Sequence, residues 1–344
     1  MSERRLKPLI VPVFIPNQGC PHRCIFCHQE KITSQKETRL NRRYVKTIID
    51  QAITSKKFDR RRNPEIAFFG GTFTRLPFQI MKKLLFAAAP YLDDGLFQSI
   101  RVSTRPDALD QARMNLMKEC GVKTVELGAQ SMDDRVLNLS NRGHSARETE
   151  EALNCLRASG FNVGIQLMPG LPGDNEEIFR ETIRQVIVLR PDFVRLYPAV
   201  VISGTELARL YKTGGYSPLS LEKAVQLSRE ACLRLEAEGI SVIRIGLMSS
   251  PSLLEPGRII AGPWHPAFGH LVRSAIYQKG IRKKLLSVMN ATIITIYAPE
   301  NDISLLRGYK NEGLKWIESN TGAAEIKILS DDSIPAGDIR IETT

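Results

Sequence analysis

The feature that most constrains the fold of this chain is an alternation of short apolar runs with amphipathic helical segments, from residue 9 to residue 247. Such an alternation is typical of a parallel sheet with crossover helices. The apolar runs predict strands at 9–15, 65–69, 99–104, 123–128, 162–168, 193–198 and 240–246. The intervening segments predict helices at 42–56, 78–89, 108–120, 146–159, 176–189 and 220–238. We therefore expect an α/β fold, a partial (β/α)6 TIM-type barrel, because a closed barrel of eight units needs more chain.

Residues at the ends of several predicted helices support this division. Asp107 and Ser220 each precede a helix, and short polar side chains of this kind favour the N-cap position. Gly121, Gly160 and Gly239 follow helices, at positions where a helix C-terminus is expected.

Three cysteines, Cys20, Cys24 and Cys27, follow the first predicted strand with the spacing C-x3-C-x2-C. Thiolates this close in sequence can bind three irons of a cubane [4Fe–4S] cluster and leave the fourth iron open to a small molecule. A zinc site is the alternative, with His22 and His28 as further ligands. No second pair of ligands is found downstream, so the spacing favours the cluster.

The second predicted strand ends in Gly70, Gly71 and Thr72. Glycines let a backbone approach a ligand closely, and neighbouring carbonyl and hydroxyl groups can bind it. Ligands of a parallel sheet collect at the carboxyl ends of its strands, where the cysteine loop also lies. We therefore expect both segments to belong to one site.

The cysteine spacing and the glycine segment together resemble the radical S-adenosylmethionine (SAM) superfamily. In that superfamily SAM binds the open iron, and an electron from the reduced cluster cleaves SAM to a 5′-deoxyadenosyl radical. Phe26, directly before Cys27, fits the same pattern. Six motifs, which keep the order of the family, resemble the radical SAM part of the elongator catalytic subunit, a tRNA wobble-uridine modifying enzyme; they lie at 70–74, 103–107, 126–131, 141–144, 168–172 and 190–198. The resemblance extends over roughly residues 9–245, about two thirds of the chain.

The resemblance implies a role for each residue of the site. The three cysteines would hold the cluster, and the glycine segment with its threonine would contact the SAM amino group. Gln130, Arg142 and Gln166 stand where the family places the SAM ribose and carboxylate, with Arg142 as the carboxylate partner. Two other interpretations stay open, because Arg142 could cap a helix end and Gln130 could bind backbone groups.

One departure from the family lies at the end of the third predicted strand. The elongator subunit and the coproporphyrinogen-oxidase branch carry a glutamate shortly before the strand-three proline, where this chain has Ser103 before Pro106. We keep Ser103 as a candidate SAM contact, although a neutral hydroxyl cannot balance the SAM ammonium group. Either another acid, such as Glu126, takes over, or cluster chelation and neutral hydrogen bonds suffice.

Four other side chains outside these roles carry expectations of their own. Tyr197, at the end of the sixth predicted strand, could face the barrel mouth as a substrate contact or radical relay, or pack in the core. Cys120, Cys155 and Cys232 lie among apolar neighbours in helical patterns, so we expect buried core thiols.

The order of predicted secondary-structure elements changes in the C-terminal part of the chain. A predicted strand at 291–297, helices at 303–307 and 312–319, and a strand at 324–329 resemble a KH-type RNA-binding fold. Asn311 replaces the second glycine of the loop that such modules use, so a small α+β packing module is the alternative. We expect three regions: a radical SAM partial barrel at 1–247, a connecting extension at 248–284 and a KH-like domain at 285–344.

Charge and composition restrict the cellular location of the protein and the kinds of partner that it can bind. The net charge is +11, and residues 1–62 alone hold fifteen Lys or Arg against five Asp or Glu. This basic segment indicates either a solvated face or a surface for a phosphate backbone beside the cluster. No leader-like start and no apolar run of about 18 residues is found, so we expect no membrane contact. Six cysteines, three of them reserved for the cluster, indicate a reducing, cytoplasmic and oxygen-sensitive protein.

Three hypotheses about function follow. The first is a radical SAM enzyme acting on RNA, with tRNA as the substrate and an electron donor such as ferredoxin or flavodoxin. No acetyl-CoA loop is found in residues 250–344, so this hypothesis includes a separate acyltransferase. The second is a radical SAM enzyme with a small or macrocyclic substrate, as in the coproporphyrinogen-oxidase branch. The third is a non-catalytic iron–sulfur RNA-binding protein.

Overall fold

The computed structural model describes residues 8–35, 39–288 and 291–343. Its main sheet is built from the strands β1 (Ile10–Phe14), β2 (Glu65–Phe69), β3 (Ser99–Thr104), β4 (Val122–Gln130), β5 (Asn162–Leu167), β6 (Phe193–Leu196) and β8 (Ser241–Ile245). All neighbours in the sheet are parallel and follow the order β1-β2-β3-β4-β5-β6-β8. The seven strands match the seven predicted ones, and the sheet curls into a partial barrel, so the predicted fold class is confirmed.

Helices fill the connections between these strands. They are α1 (Gln29–Thr33), α2 (Arg42–Ile53), α3 (Phe78–Asp93), α4 (Gln111–Glu119), α5 (Asp134–Leu139), α6 (Ala146–Ala158), α7 (Glu176–Leu189), α8 (Glu206–Lys212) and α9 (Leu221–Ala237). The six predicted helices are confirmed, whereas the short helices α1, α5 and α8 were not predicted. Within the described ranges, none of the helices is long and apolar enough to cross a bilayer.

Caps show where local sequence was a sufficient guide. Ser220 caps α9, because its hydroxyl accepts a hydrogen bond from the amide of Lys223 over 3.1 Å. Asp107 was wrongly predicted as the cap of α4, which begins three residues later with Asp110 as its N-cap. Asp107 instead accepts hydrogen bonds from Arg105, over 2.8 and 3.1 Å. A nearby arginine therefore outcompetes the helix N-terminus for this carboxylate.

The expectation for the three remaining cysteines holds for two of them. Cys120 and Cys232 are buried in the main core. Cys155 is exposed, so the prediction of a buried thiol there is wrong. The reason is its position on α6, whose buried side is formed by other residues, among them Ala152 and Leu156.

A small antiparallel sheet, absent from the prediction, lies beside the barrel. It pairs β7 (Val201–Ile202) with β9 (Ile259–Ala261). Its apolar side chains pack with Leu253 and Trp264 of the connecting segment. The segment after β8 is therefore held against the barrel.

The C-terminal module forms a second sheet with its own core. Its strands are β10 (Ile293–Ala298), β11 (Glu325–Ser330) and β12 (Arg340–Thr343), and its helices are α11 (Ile303–Arg307) and α12 (Glu312–Thr321). The central strand β10 is parallel to β11 and antiparallel to β12. The predicted β-α-α-β order is confirmed, and β12 is an addition. Asn311 adopts a φ of 63°, which a glycine would adopt without strain.

One long helix, α10 (Phe268–Leu286), contributes to both cores. Its first turns place Phe268 and Val272 in the core of the barrel. Its last turns place Ile281 and Leu285 in the core of the C-terminal module. The division of the chain at residues 247 and 284 stays a prediction.

The close contact between Gly164 and Phe193 in the barrel interior can be tested by mutation. Gly164 of β5 is the register partner of Phe193 on β6, and a Cβ at Gly164 would lie 2.1 Å from Cε2 of the phenyl ring. We expect Gly164→Ala to lower the free energy of unfolding by about 1–3 kcal/mol, because the ring must leave its place. Urea unfolding monitored by circular dichroism measures this change.

Gly280→Ala is the control for that experiment. Gly280 lies within α10, and nothing lies within 4 Å of a Cβ built there. Alanine favours a helix over glycine, so this variant should be as stable as the wild type or slightly more stable. Equal stability of the two variants would contradict the packing argument.

Candidate active site

A cavity of about 290 Å³ opens at the carboxyl ends of the main-sheet strands. Parallel strands present these ends at one edge of a sheet, so loops distant in sequence meet there. The twelve residues predicted to bind the cluster, SAM or substrate all lie on the cavity wall: Cys20, Cys24, Phe26, Cys27, Gly70, Gly71, Thr72, Ser103, Gln130, Arg142, Gln166 and Tyr197. The structure thus brings the candidates together, while their roles stay predictions.

The cysteine loop lies directly against the end of β2. The amide of Thr72 donates a hydrogen bond to the carbonyl of Gln18 over 2.9 Å. A Cβ on Gly71 would lie 2.1 Å from that carbonyl oxygen and 2.6 Å from the carbonyl oxygen of Ile15. A Cβ on Gly19 would lie 2.3 Å from the Thr72 carbonyl oxygen. Glycine at both positions is what allows the two backbones to touch.

The surroundings of the three cysteine sulfurs suit metal-bound thiolates. Cys20 Sγ lies 3.4 Å from Thr72 Oγ1, and Cys24 Sγ accepts a hydrogen bond from Arg142 Nη1 over 2.9 Å. Burial, with the neighbouring Cys24 and Cys20, raises the pKa of Cys27 to about 12. A thiolate at Cys27 therefore requires added positive charge, which bound iron would supply because coordination deprotonates thiols. This donor set fits an iron–sulfur cluster.

A zinc ion would require several ligand side chains that converge on one point. Within the described ranges, no group of three or more His, Cys, Asp or Glu side chains is arranged to hold a metal ion. His22 Nε2 lies 3.2 Å from the carbonyl oxygen of Arg142 and 3.4 Å from Arg105 Nη1. A cubane cluster binds each cysteine through a separate iron, so its cysteine sulfurs need not converge on one point.

Arg142 and Gln130 make contacts that the sequence could not specify. Besides its bond to Cys24, the Arg142 guanidinium donates from Nη2 to the carbonyl of Gly128 over 2.5 Å. The Arg142 side chain therefore ties the cysteine loop to β4, while its backbone amide donates a hydrogen bond to the carbonyl of Leu137 at the end of α5 over 3.0 Å. Gln130 has a φ of 74° where the register between β4 and β5 shifts. Its Oε1 accepts a hydrogen bond from Gln166 Nε2 over 3.0 Å, so the two amide side chains form a pair.

A chain of four charged side chains crosses the interior of the barrel below this pair. Arg101 lies 2.7 Å from Glu65 and 2.8 Å from Glu126, and Arg195 lies 2.9 Å from Glu126. Buried charges are tolerated when they are paired in this way. The sequence pattern pointed to Glu126 but not to Arg101 or Arg195. A signal was available, because Arg195 and Tyr197 are two residues apart in extended chain and so face the same side.

Tyr197 lies on the cavity wall, and both interpretations that the sequence left open stay predictions. Its ring lines the cavity, and its hydroxyl lies 3.5 Å from Arg195 Nη1. Burial raises the pKa of this hydroxyl. The side chain therefore stays a neutral phenol at physiological pH and is partly packed, with one side toward the cavity.

The basic N-terminal segment divides between the two ends of the barrel. Arg42 and Arg43 begin α2 at the site end, because the hydroxyl of Tyr44 donates a hydrogen bond to the carbonyl of Phe14, the last residue of β1. Arg60–Arg62 lie directly before β2, at the opposite end. The expectation of one basic surface beside the cluster therefore holds only for the first group.

Comparison with known proteins relates this site to a family. The sequence profile of the Radical SAM superfamily matches residues 14–186, half of the chain. The profile of the Radical_SAM C-terminal domain matches residues 191–278.

Similar proteins come from archaea and from animals. The tRNA uridine(34) acetyltransferase of Methanocaldococcus infernus is 37% identical over 129 residues, which are 37% of this chain and 24% of that protein. The human Elongator complex protein 3 is 30% identical over 183 residues, 47% of this chain and 34% of that protein. The matched regions thus span about a quarter to a third of the length of these relatives.

A solved structure shares the fold. The archaeal Methanocaldococcus infernus Elp3 with an N-terminal deletion superposes with a TM-score of 0.60 at 24% identity, covering 80% of this chain and 64% of that one. The profile match and the fold agree: this chain belongs to the radical SAM superfamily, whose enzymes use a [4Fe–4S] cluster and SAM.

Proposed function

We propose that this chain is a radical SAM enzyme that modifies RNA, with tRNA as its substrate. The observation that carries the proposal is the convergence of the twelve candidate residues, three cysteines among them, on one cavity. One curated relative is named for an action on uridine 34 of tRNA, which supports tRNA as the substrate class.

The candidate residues have different proposed roles at the cavity. Cys20, Cys24 and Cys27 hold the cluster, which when bound would offer an open iron for SAM and the electron for its cleavage. Arg142 donates to Cys24 and so compensates thiolate charge. Tyr197 contacts the substrate. Eight candidates, with Arg142 again among them, bind SAM: Phe26, Gly70, Gly71, Thr72, Ser103, Gln130, Arg142 and Gln166.

The proposal includes further partners. Cleavage of SAM consumes one electron, so a small electron carrier such as ferredoxin or flavodoxin supplies it. The archaeal relative is named as an acetyltransferase, and a separate acyltransferase remains our prediction for this chain. A reducing cytoplasmic setting would protect the cluster from oxygen.

The basic residues at the site end supply the contact to RNA. Arg42 and Arg43 are exposed, and Arg23 lines the cavity itself. Phosphate groups of a bound nucleic acid are attracted to such side chains. A substrate that approaches the cavity from this end would therefore meet positive charge first.

The direct test is performed without oxygen. The cluster is reconstituted, dithionite and SAM are added, and 5′-deoxyadenosine is quantified with and without a pool of unmodified tRNA. We expect tRNA to stimulate its formation and to gain mass. Formation that is independent of tRNA would overturn the RNA substrate and favour the small-molecule hypothesis. No formation from an intact cluster would overturn the radical reaction itself.

We expect Cys20→Ala to lose most of the iron, from about four atoms per chain, and to reduce 5′-deoxyadenosine to background. Iron analysis and chromatography measure both. Cys155→Ala is the matched control, because Cys155 is an exposed cysteine on α6, away from the site. It should retain full iron and activity, and an active Cys20 variant would contradict the ligand assignment.

We expect Arg42→Gln together with Arg43→Gln to weaken tRNA binding several-fold and to reduce the salt dependence of the affinity by about one to two counterions. Filter binding over a salt series measures both. Lys56→Gln with Lys57→Gln is the matched control, since these exposed lysines follow the other end of α2. Equal losses in both pairs would argue against an RNA surface at the site end.

A further inference from the structure

We propose that Glu126 binds the ammonium group of SAM, in the role that a glutamate at the position of Ser103 would otherwise have. The inference rests on the proposed placement of SAM in the cavity. The three N–H groups of an ammonium need acceptors, and an ionised carboxylate forms the strongest such hydrogen bonds. Ser103 offers only a neutral hydroxyl.

Glu126 lies next to Ser103 in the sheet. The two residues are register partners on β4 and β3, and both line the cavity. Adjacent strands are about 4.8 Å apart, and side chains at paired positions face the same side of the sheet. A carboxylate from β4 can therefore reach the space that a carboxylate from β3 would occupy.

The charge of the cavity wall singles out Glu126. In the part of the wall that the structure describes, Glu126 is the only acidic side chain, against four arginines: Arg23, Arg105, Arg142 and Arg195. Like charges repel, so a wall without this carboxylate would disfavour a cationic ligand. An ammonium group is therefore directed to Glu126.

The contacts of Glu126 leave one carboxylate oxygen for a ligand. Arg101 Nη1 donates to Oε1 over 2.8 Å, and Arg195 Nη2 lies 2.9 Å from the same oxygen. Oε2 accepts no hydrogen bond from any residue in the described ranges. Arg101 is itself held by Glu65 over 2.7 Å. The network thus fixes the carboxylate in place without using its second oxygen.

The test compares SAM with its analogue that lacks the α-amino group. Equilibrium dialysis on the reconstituted full chain, without oxygen, measures the affinity for each ligand. We expect the wild type to bind SAM about tenfold or more tightly than the analogue. Glu126→Gln should weaken SAM about tenfold and leave the affinity for the analogue unchanged.

Two further variants separate a direct contact from a structural effect. Glu65→Gln weakens the support of Arg101 but leaves the Glu126 carboxylate in place, and Glu65 does not line the described cavity wall, so the loss of SAM affinity should be well below that of Glu126→Gln. Ser103→Glu, added to Glu126→Gln, should restore the preference for SAM. Should Glu126→Gln not fold, Glu126→Asp, whose carboxylate is withdrawn by one methylene, should show a selective loss of SAM affinity.

Each outcome of these binding measurements either supports or overturns the role of Glu126 or the placement of SAM. Equal losses of SAM and analogue in Glu126→Gln, or an unchanged SAM affinity, would overturn the role of Glu126. A variant without the cluster cysteines that binds SAM as tightly as the wild type would instead overturn the placement of SAM in this cavity. Selective loss with rescue by Ser103→Glu supports the inference.

Discussion

Two peptide backbones lie in contact where the cysteine loop crosses the end of β2, and the geometry of the site follows from this contact. A Cβ at Gly71 would overlap the carbonyl oxygens of Gln18 and Ile15. Because the loop is held so close, Cys20 lies beside the hydroxyl of Thr72. The hydroxyl and amide groups at the end of β2 and the sulfurs of the loop therefore share one small space, as a ligand bound by both would require.

The interior of the barrel is built from charge rather than from apolar side chains alone. Glu65, Arg101, Glu126 and Arg195 form an alternating series with no net charge. Burial of such groups is costly unless every member is paired, so the stability of the fold comes chiefly from the apolar layer between sheet and helices. The charged series instead fixes the positions of its own side chains. It holds Arg195 and Glu126 at the cavity, where a ligand can meet them.

The C-terminal module is joined to the barrel by a continuous helix. Because α10 packs in both cores, the module cannot turn freely about a flexible connection. Ser274 of α10 also donates a hydrogen bond to the carbonyl of Leu305 over 2.6 Å, next to the loop that contains Asn311. The loop that resembles an RNA-binding turn is therefore braced by the helix that leads out of the barrel.

Local sequence was enough to predict the seven strands of the main sheet, six of the helices that connect them and the grouping of the cysteines, because apolar periodicity and short spacings are local properties. Which charged side chains form ion pairs depends on the three-dimensional fold. Glu65 and Arg195 are far apart in sequence, yet strand order and register bring them into one network. The same holds for Arg42 and Arg60, which lie near each other in sequence but at opposite ends of the barrel. Helix α2 lies between them and runs from the site end of the barrel toward the opposite end, and amino-acid composition does not specify the direction of a helix.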